Sequence, residues 1–297
     1  DRGKMTEQKM EHYLSLSGGK DSLAAALFLR EQGIEATNLF FDTGWEHPDT
    51  YRYLMDYLPT VVGDIQWVSA DLPQLSEEAE EWAKRIEKLL DHPKGSPSGF
   101  VRLVLHNRIS PGPKRRYCTR KLKIDALKKA FAQNPSPYRV NVVGIRAEES
   151  IARSKLSEQE ISTSLDCIVW RPLIKWTTQD VIDIHKRHGI APNPLYLGRS
   201  KRVGCYPCIF ANKGDLRVVA EDPARVEVLR LLEEGLTKLR EKAGGKFGAL
   251  LRRRVPGDPD APIDEVLRWS QTARGGKQFA LFDREEMGCV SWGLCER

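Results

Sequence analysis

Apolar and polar positions fall into alternating short blocks over the first two thirds of the chain. His12 to Leu16 is a strand-like run that ends in Ser17-Gly18-Gly19-Lys20-Asp21-Ser22. Leu23 to Gln32 then places apolar residues at helical spacing and stops at Gly33, which predicts a helix. A second strand is predicted over Ala36 to Phe41, and a helix with proline in its first turn over Pro48 to Leu58. Ile65 to Ser69 reads as a third strand, followed by an acidic helix from about Gln74 to Leu90. His92 to Gly99 and Ile109 to Pro113 are rich in Pro, Gly and Ser, so they read as loops around a short helix. Ile124 to Ala132 is predicted helical, Arg139 to Ile145 a buried-type strand, and Thr178 to Arg187 a helix. From Pro223 onward the pattern is helical, interrupted by Pro256 to Pro262.

Strands alternating with helices imply a parallel sheet covered on both faces. The expected fold is therefore α/β, a Rossmann-like parallel sheet over residues 12–210, followed by a helical C-terminal region over 211–297.

Composition narrows the class without naming a reaction. With 297 residues, 40% hydrophobic and 30% charged, the chain can bury a core, which excludes disordered and collagen-like classes. The longest apolar run, Leu23 to Leu29, is seven residues, well short of the ~20 that span a bilayer. Residues 1–11 carry no apolar segment, so the expectation is a cytoplasmic protein with no membrane partner. Net charge is +6, with basic residues clustered at Lys114–Arg116, Arg120-Lys121, Lys123, Lys128-Lys129, Arg199–Arg202 and Arg252–Arg254. That balance suits a polyanionic partner, while any single cluster also reads as a solvated face.

The segment Ser17–Ser22 sits where a phosphate loop belongs, between a strand and a helix. Two glycines let the backbone approach an anion, and the helix N-terminus adds partial positive charge. Lys20 adds a full charge, and Ser17 and Ser22 supply hydroxyls. The spacing is not that of a Walker loop. A glycine-rich turn capped by Asp21 or Ser22 is the plainer alternative.

Six cysteines are present: Cys118, Cys167, Cys205, Cys208, Cys289 and Cys295. In a reducing compartment clustered cysteines bind metal or do redox chemistry more often than they pair. Cys205 and Cys208 form a CxxC pair, and Cys118 lies upstream among lysines and arginines. A redox dithiol, structural zinc and an iron–sulfur cluster all use such residues. Cys167, before the apolar Ile168 to Trp170, reads as a buried thiol.

The hexapeptide resembles the signature of the PP-loop ATP pyrophosphatases, the adenine-nucleotide alpha-hydrolase superfamily. Three further stretches resemble its phosphoadenosine phosphosulfate (PAPS) reductase branch: Phe41 to Tyr51, Gly144 to Ser150 with Arg153, and Arg171 to Thr177 with Asp180-Val181 and Asn193 to Tyr196. The resemblance implies a nucleotide site at Ser17, Gly18, Gly19, Lys20, Asp21, Ser22, Asp42, Thr43, Arg146 and Arg153. Arginines beyond a core strand suit phosphate or sulfate by forked hydrogen bonds, with ion pairs to Glu148 or Glu149 as the alternative.

Resemblance also favours a [4Fe–4S] cluster over zinc, held by Cys118, Cys205 and Cys208 with Cys289, Cys295 or Cys167 as fourth ligand; Cys289 is the one placed in the set. Related adenylylsulfate reductases carry two adjacent cysteines where this chain has Tyr117-Cys118. The Cys-Thr-x-x-Leu-Lys form around Cys118 is similar to that of the DNA phosphorothioation sulfurtransferases.

Two enzyme readings follow. The first is ATP- and Mg²⁺-dependent sulfur transfer, adenylylating an acceptor such as DNA or tRNA with pyrophosphate release. Sulfur would come from a donor such as a cysteine desulfurase and be carried on the cluster or a cysteine, with Lys20 and Cys295 as catalytic residues. The second is reduction of adenylylsulfate or PAPS to sulfite, in which Cys295 attacks sulfur. The near-terminal Gly293-Leu294-Cys295-Glu296 has neither the residue order nor the histidine those reductases carry. Sulfate adenylylation and a non-enzymatic nucleic-acid-binding protein are the remaining readings.

Overall fold

The computed structural model describes residues 10–134, 136–252, 254–273 and 292. Cys289 and Cys295, two of the expected site residues, lie outside the described residues.

The described chain divides into two units, which interleave along the sequence. The first comprises the described parts of Asp1–Phe41, Arg52–Val68 and Ala126–Asn193; the second comprises Asp42–Tyr51, Ser69–Asp125 and the described part of Pro194–Arg297. The expected boundary near residue 210 falls inside the last of these segments.

The sheet belongs to the first unit. Its strands are β1 (Glu11–Ser15), β2 (Ala36–Asp42), β3 (Ile65–Ser69), β4 (Arg139–Val143), β5 (Gln159–Ser162) and β6 (Cys167–Trp170). They are ordered β3-β2-β1-β4-β6-β5. Beta-branched and aromatic residues fill the central strands, and Leu14, Val140 and Val142 are buried between the covering helices. β1 pairs in parallel with β2 and β4, and β4 with β6. This is the expected α/β Rossmann-like architecture.

One departure is β5, which runs antiparallel to β6 with Ile161 opposite Ile168. The alternation pattern missed both strands because each has only four residues. β5 also buries no side chain, so it shows no inward-facing apolar period.

The order places a switch point between β1 and β4, since the chain runs outward from β1 to β3 and then returns to the other side of β1. Ligands of open α/β sheets bind beyond the carboxyl ends of strands at such a point. The segments leaving β1 and β4 there are Leu16 to Gly19 and Gly144 to Arg146.

The second unit is helical. Its core joins Trp45, Ala83, Ile86, Phe100, Val104, Leu122, Leu229, Leu232, Leu236 and Val266. The Glu77–Leu90 helix packs on Pro223–Lys242, the long helix predicted beyond Pro223. A shorter one, Ile263–Ser270, follows the proline-rich interruption. Among the described residues no helix is long and apolar enough to cross a membrane.

Candidate functional site

In the first unit, the helix Lys20–Glu31 starts at Gly19, whose extended backbone makes it the N-cap without any side-chain cap. Because the N-cap residue is a glycine, no side chain of its own caps this helix start, and a helix start of this kind can receive an anion. Gly18 has φ of 73°, a left-handed turn that side chains disfavour. Asn193 Nδ2 donates to the Gly18 carbonyl at 3.2 Å and is itself buried, so the last of the four motifs braces the first.

Ser17 and Ser22 turn inward. Their hydroxyls lie 3.1 Å apart, Ser22 Oγ accepts from the Ser17 amide at 3.1 Å, and it donates to the Gly19 carbonyl at 2.9 Å. They shape the loop rather than point from it. Lys20 Nζ stands 3.3 Å from Asp21, half-covered at the helix start.

Gly144, just past β4, comes so close to this helix that an added Cβ would sit 2.4 Å from the Asp21 carbonyl oxygen. Any other residue would push the two segments apart. The approach lets Arg146, 4% exposed, reach Asp21 through Nε at 2.5 Å and Glu148 through Nη1 at 2.5 Å. Glu148 also accepts from the Thr178 amide at 2.9 Å, which holds its carboxyl below the usual carboxylate range together with Arg146. Arg153 pairs with Glu149. Both arginines expected at the nucleotide are thus held in ion pairs around the loop, and Arg146 ties the loop to the post-β4 segment.

In the second unit, Asp42 and Thr43 are buried in a polar network. Asp42 accepts from the Gly44 amide and the Tyr51 hydroxyl, each at 3.0 Å, and its carboxylate lies 3.0 Å from His92 Nε2. Tyr51 also donates to Glu46 at 2.8 Å, and Thr43 Oγ1 donates to Glu46 at 2.7 Å. Burial beside the two carboxylates holds the Tyr51 hydroxyl protonated, well above the ordinary phenol range. Glu46 and His92 escaped the sequence reading, because nothing local marks a residue whose partners arrive from distant positions.

The same network meets the cysteines. Glu46 and Cys205 form an antiparallel bridge, the Tyr206 amide donates to the Trp45 carbonyl at 2.8 Å, and Thr43 Oγ1 lies 4.0 Å from Cys205 Sγ. Arg225, from the long helix, sits over the rings of Trp45 and Tyr206 at 4.9 and 5.1 Å and donates to the Glu46 carbonyl at 3.0 Å. It clamps both strands of the bridge.

Cys118, Cys205 and Cys208 share one electrostatic neighbourhood with Lys123. Lys123 is held protonated, chiefly by Cys205. Burial pushes the Cys205 thiol up to about 12, opposed by Lys123. The Phe210 amide donates to Cys208 Sγ at 3.4 Å. Soft thiols beside a lysine match thiolate ligation in kind. Among the described residues, however, no three His, Cys, Asp or Glu side chains are gathered into a metal-binding group. Tyr117, where related reductases have a further cysteine, is buried with its hydroxyl bonded to the Ile109 carbonyl at 2.5 Å. Cys167 is buried in β6 of the first unit.

A glycine-rich loop at the switch point of a mostly parallel sheet, with CxxC thiols in a second unit, defines an α/β protein of Rossmann-like type. Residues 11–211 match the phosphoadenosine phosphosulfate reductase domain family, and the chain belongs to that family. It is 32% identical over 95% of its length to the 37.8 kDa protein of the gpa 5′ region of Escherichia phage 186, covering 96% of that protein. It is 30% identical to the adenosine 5′-phosphosulfate reductase of Allochromatium vinosum over 44% of this chain and 49% of that enzyme. The Burkholderia cepacia adenosine 5′-phosphosulfate reductase is 31% identical over 33% of this chain and 37% of that enzyme. The chain thus spans half or less of these two reductases. Among solved structures, the phosphate complex of Candida auris phosphoadenylyl-sulfate reductase aligns with a TM-score of 0.41 at 19% identity, covering 66% of this chain and 81% of that one.

Proposed function

We propose that this family member is an ATP-dependent sulfurtransferase that adenylylates an acceptor, with nucleic acid as the acceptor class, and releases pyrophosphate. The observation that carries the reading is the uncapped helix start at the switch point, with Lys20 on its first residue. The loop amides and Lys20 receive the triphosphate, where donors fixed before reaction stabilise the charge that develops on the leaving group. An acceptor oxygen attacks the α-phosphorus, the bond to the β-phosphate oxygen breaks, and pyrophosphate takes the electron pair. Mg²⁺, when bound with ATP, offsets charge on the phosphates. Arg146 and Asp21 keep the loop in register for that attack.

Cys118, Cys205 and Cys208 are the residues that would hold an iron–sulfur cluster, leaving a fourth position to Cys289, Cys295 or a non-protein group. When bound, such a cluster supplies redox-active iron and sulfide. Lys123 offsets thiolate charge there, and Arg225 and Glu46 keep the CxxC segment in place. Sulfur reaches the chain as a persulfide from a donor such as a cysteine desulfurase. Its terminal sulfur displaces AMP, which leaves with the adenylylated oxygen. An external dithiol then cleaves the remaining S–S bond, ending as a disulfide and leaving sulfur on the acceptor.

A second reading, reduction of adenylylsulfate or PAPS to sulfite, is supported by the names of the two bacterial relatives. Calorimetric titration with ATP and, separately, adenylylsulfate distinguishes them. The transferase reading expects ATP to bind and Lys20→Ala to weaken it; adenylylsulfate binding without ATP binding would overturn it.

A further inference from the structure

The basic run Lys114-Arg115-Arg116, two residues before Cys118, is unused by this account. Its chain is fixed as a tight turn, the Gly112 amide donating to the Arg115 carbonyl at 3.2 Å and the Arg115 amide to the Gly112 carbonyl at 2.9 Å. All three side chains are exposed. Lys121, shortly after, is paired with Asp125 at 3.1 Å. Lys114, Arg115 and Arg116, by contrast, form no ion pair among the described residues. Three cations on a rigid turn are thus left without local neutralisation.

An aromatic platform stands beside them. Arg116 lies over the Phe210 ring at 4.9 Å, and that ring is 37% exposed, although Phe210 immediately follows the buried Ile209. Phe210 is anchored from behind. Its amide donates to Cys208 Sγ, and Arg254 donates to the neighbouring Ile209 carbonyl. The Arg116–Phe210 pair therefore links the Cys118 and Cys208 segments at the surface.

We propose that this turn and Phe210 form a docking site for single-stranded nucleic acid, a proposal that rests on the nucleic-acid acceptor reading above. Phosphates meet Lys114 and Arg115, and an unpaired base stacks on the Arg116–Phe210 plane. Single strands are bound in this way, by cations along the backbone with aromatic rings that accept any base face. A duplex keeps its bases stacked internally and offers the ring nothing. An acidic protein partner would use the charges without needing the ring.

The test is fluorescence anisotropy of a labelled single-stranded oligonucleotide with the full chain, across a sodium chloride series and without ATP. Replacing Lys114, Arg115 and Arg116 together by Ala should flatten the log-affinity against log-salt slope by about 1.4, since two of the three meet phosphates and each such cation on a single strand contributes about 0.7. Phe210→Ala should weaken binding about ten-fold, and Phe210→Trp should restore it. No binding by the wild type, an unchanged slope in the triple variant, unchanged affinity in Phe210→Ala, or equal affinity for the duplex would each overturn the proposal. ATP titrations run in parallel separate the two inferences. Oligonucleotide binding by a chain that does not bind ATP leaves this surface standing and removes the transferase reading.

Discussion

Two regions, the glycine-rich loop of the first unit and the polar network beside the CxxC segment of the second, place their charged groups in opposite ways. Around the phosphate loop, carboxylates meet cations: Asp21 and Glu148 share Arg146, and Glu149 takes Arg153. Beside the CxxC segment, carboxylates are buried and accept from hydroxyl and backbone amide groups. Asp42 and Glu46 share the Tyr51 hydroxyl, and Glu233 accepts the Leu250 and Ile263 amides at 2.9 and 2.8 Å. The first arrangement keeps the loop in register, because each largely covered charge there meets an opposite one. The second holds a half-buried thiol-bearing segment, where burial raises the Cys205 thiol pKa and a lysine counters it. Under the proposed function, an anion-receiving site and a sulfur-handling site would need these different surroundings.

Cysteine substitutions probe the second unit most severely. Cys205→Ser or Cys208→Ser should abolish bound iron in anaerobically purified protein, measured by metal analysis, because ligand loss removes both metal and its contribution to folding. Full iron content in either variant would show that the pair is not a ligand site.

Lys20→Ala should weaken ATP binding about 10- to 100-fold, the loss of a charge-assisted phosphate contact. Its thermal unfolding should change little, since Lys20 lies at the helix start outside the apolar core. Calorimetry and a melting curve check both halves.

Arg146→Met should lower stability by about 1–3 kcal/mol, because Asp21 is left beside an apolar group. Denaturant unfolding measures this. Arg146→Lys should restore only part, since one ammonium cannot hold Asp21 and Glu148 by a fork.

The smallest effect is a difference in sign. Glu148 is held below its ordinary value of 4.5, so its stabilisation is present above that pH and is lost as pH falls through the lower folded value. Glu233 is raised above 4.5 by burial, so its contribution is complete below 4.5 and is lost as pH rises through the folded value. Glu148→Gln should therefore flatten the acid side of a stability–pH profile, and Glu233→Gln the side above 4.5. Equal effects of the two substitutions would remove the contrast between the units.

The same contrast governs what the sequence made legible. The strand, the glycine-rich turn and the helix that follows it were readable because glycine content and helical spacing are local signals, whereas Cys118 lies far upstream of the CxxC pair and no local spacing links them. Thr178–Arg187 and Ile65–Ser69 have the predicted bounds for that reason. The Asp42–Tyr51–Glu46–His92 network was not readable, since its members meet only in the folded chain. The ion pairs of Arg146 and Arg153 with Glu148 and Glu149 were foreseen as an alternative, and charge spacing alone could not decide between ligand and brace. β5 was missed because a short strand with polar, exposed faces looks like a loop.

The central claim is that the loop of the first unit uses ATP and cleaves it at the α-phosphorus. The most direct measurement supplies the anaerobic protein with ATP, Mg²⁺, a persulfide donor and a nucleic-acid acceptor, and quantifies AMP and pyrophosphate together. The account predicts equimolar AMP and pyrophosphate that disappear in Lys20→Ala. Absence of both, with sulfite released from adenylylsulfate under reducing conditions, would contradict it.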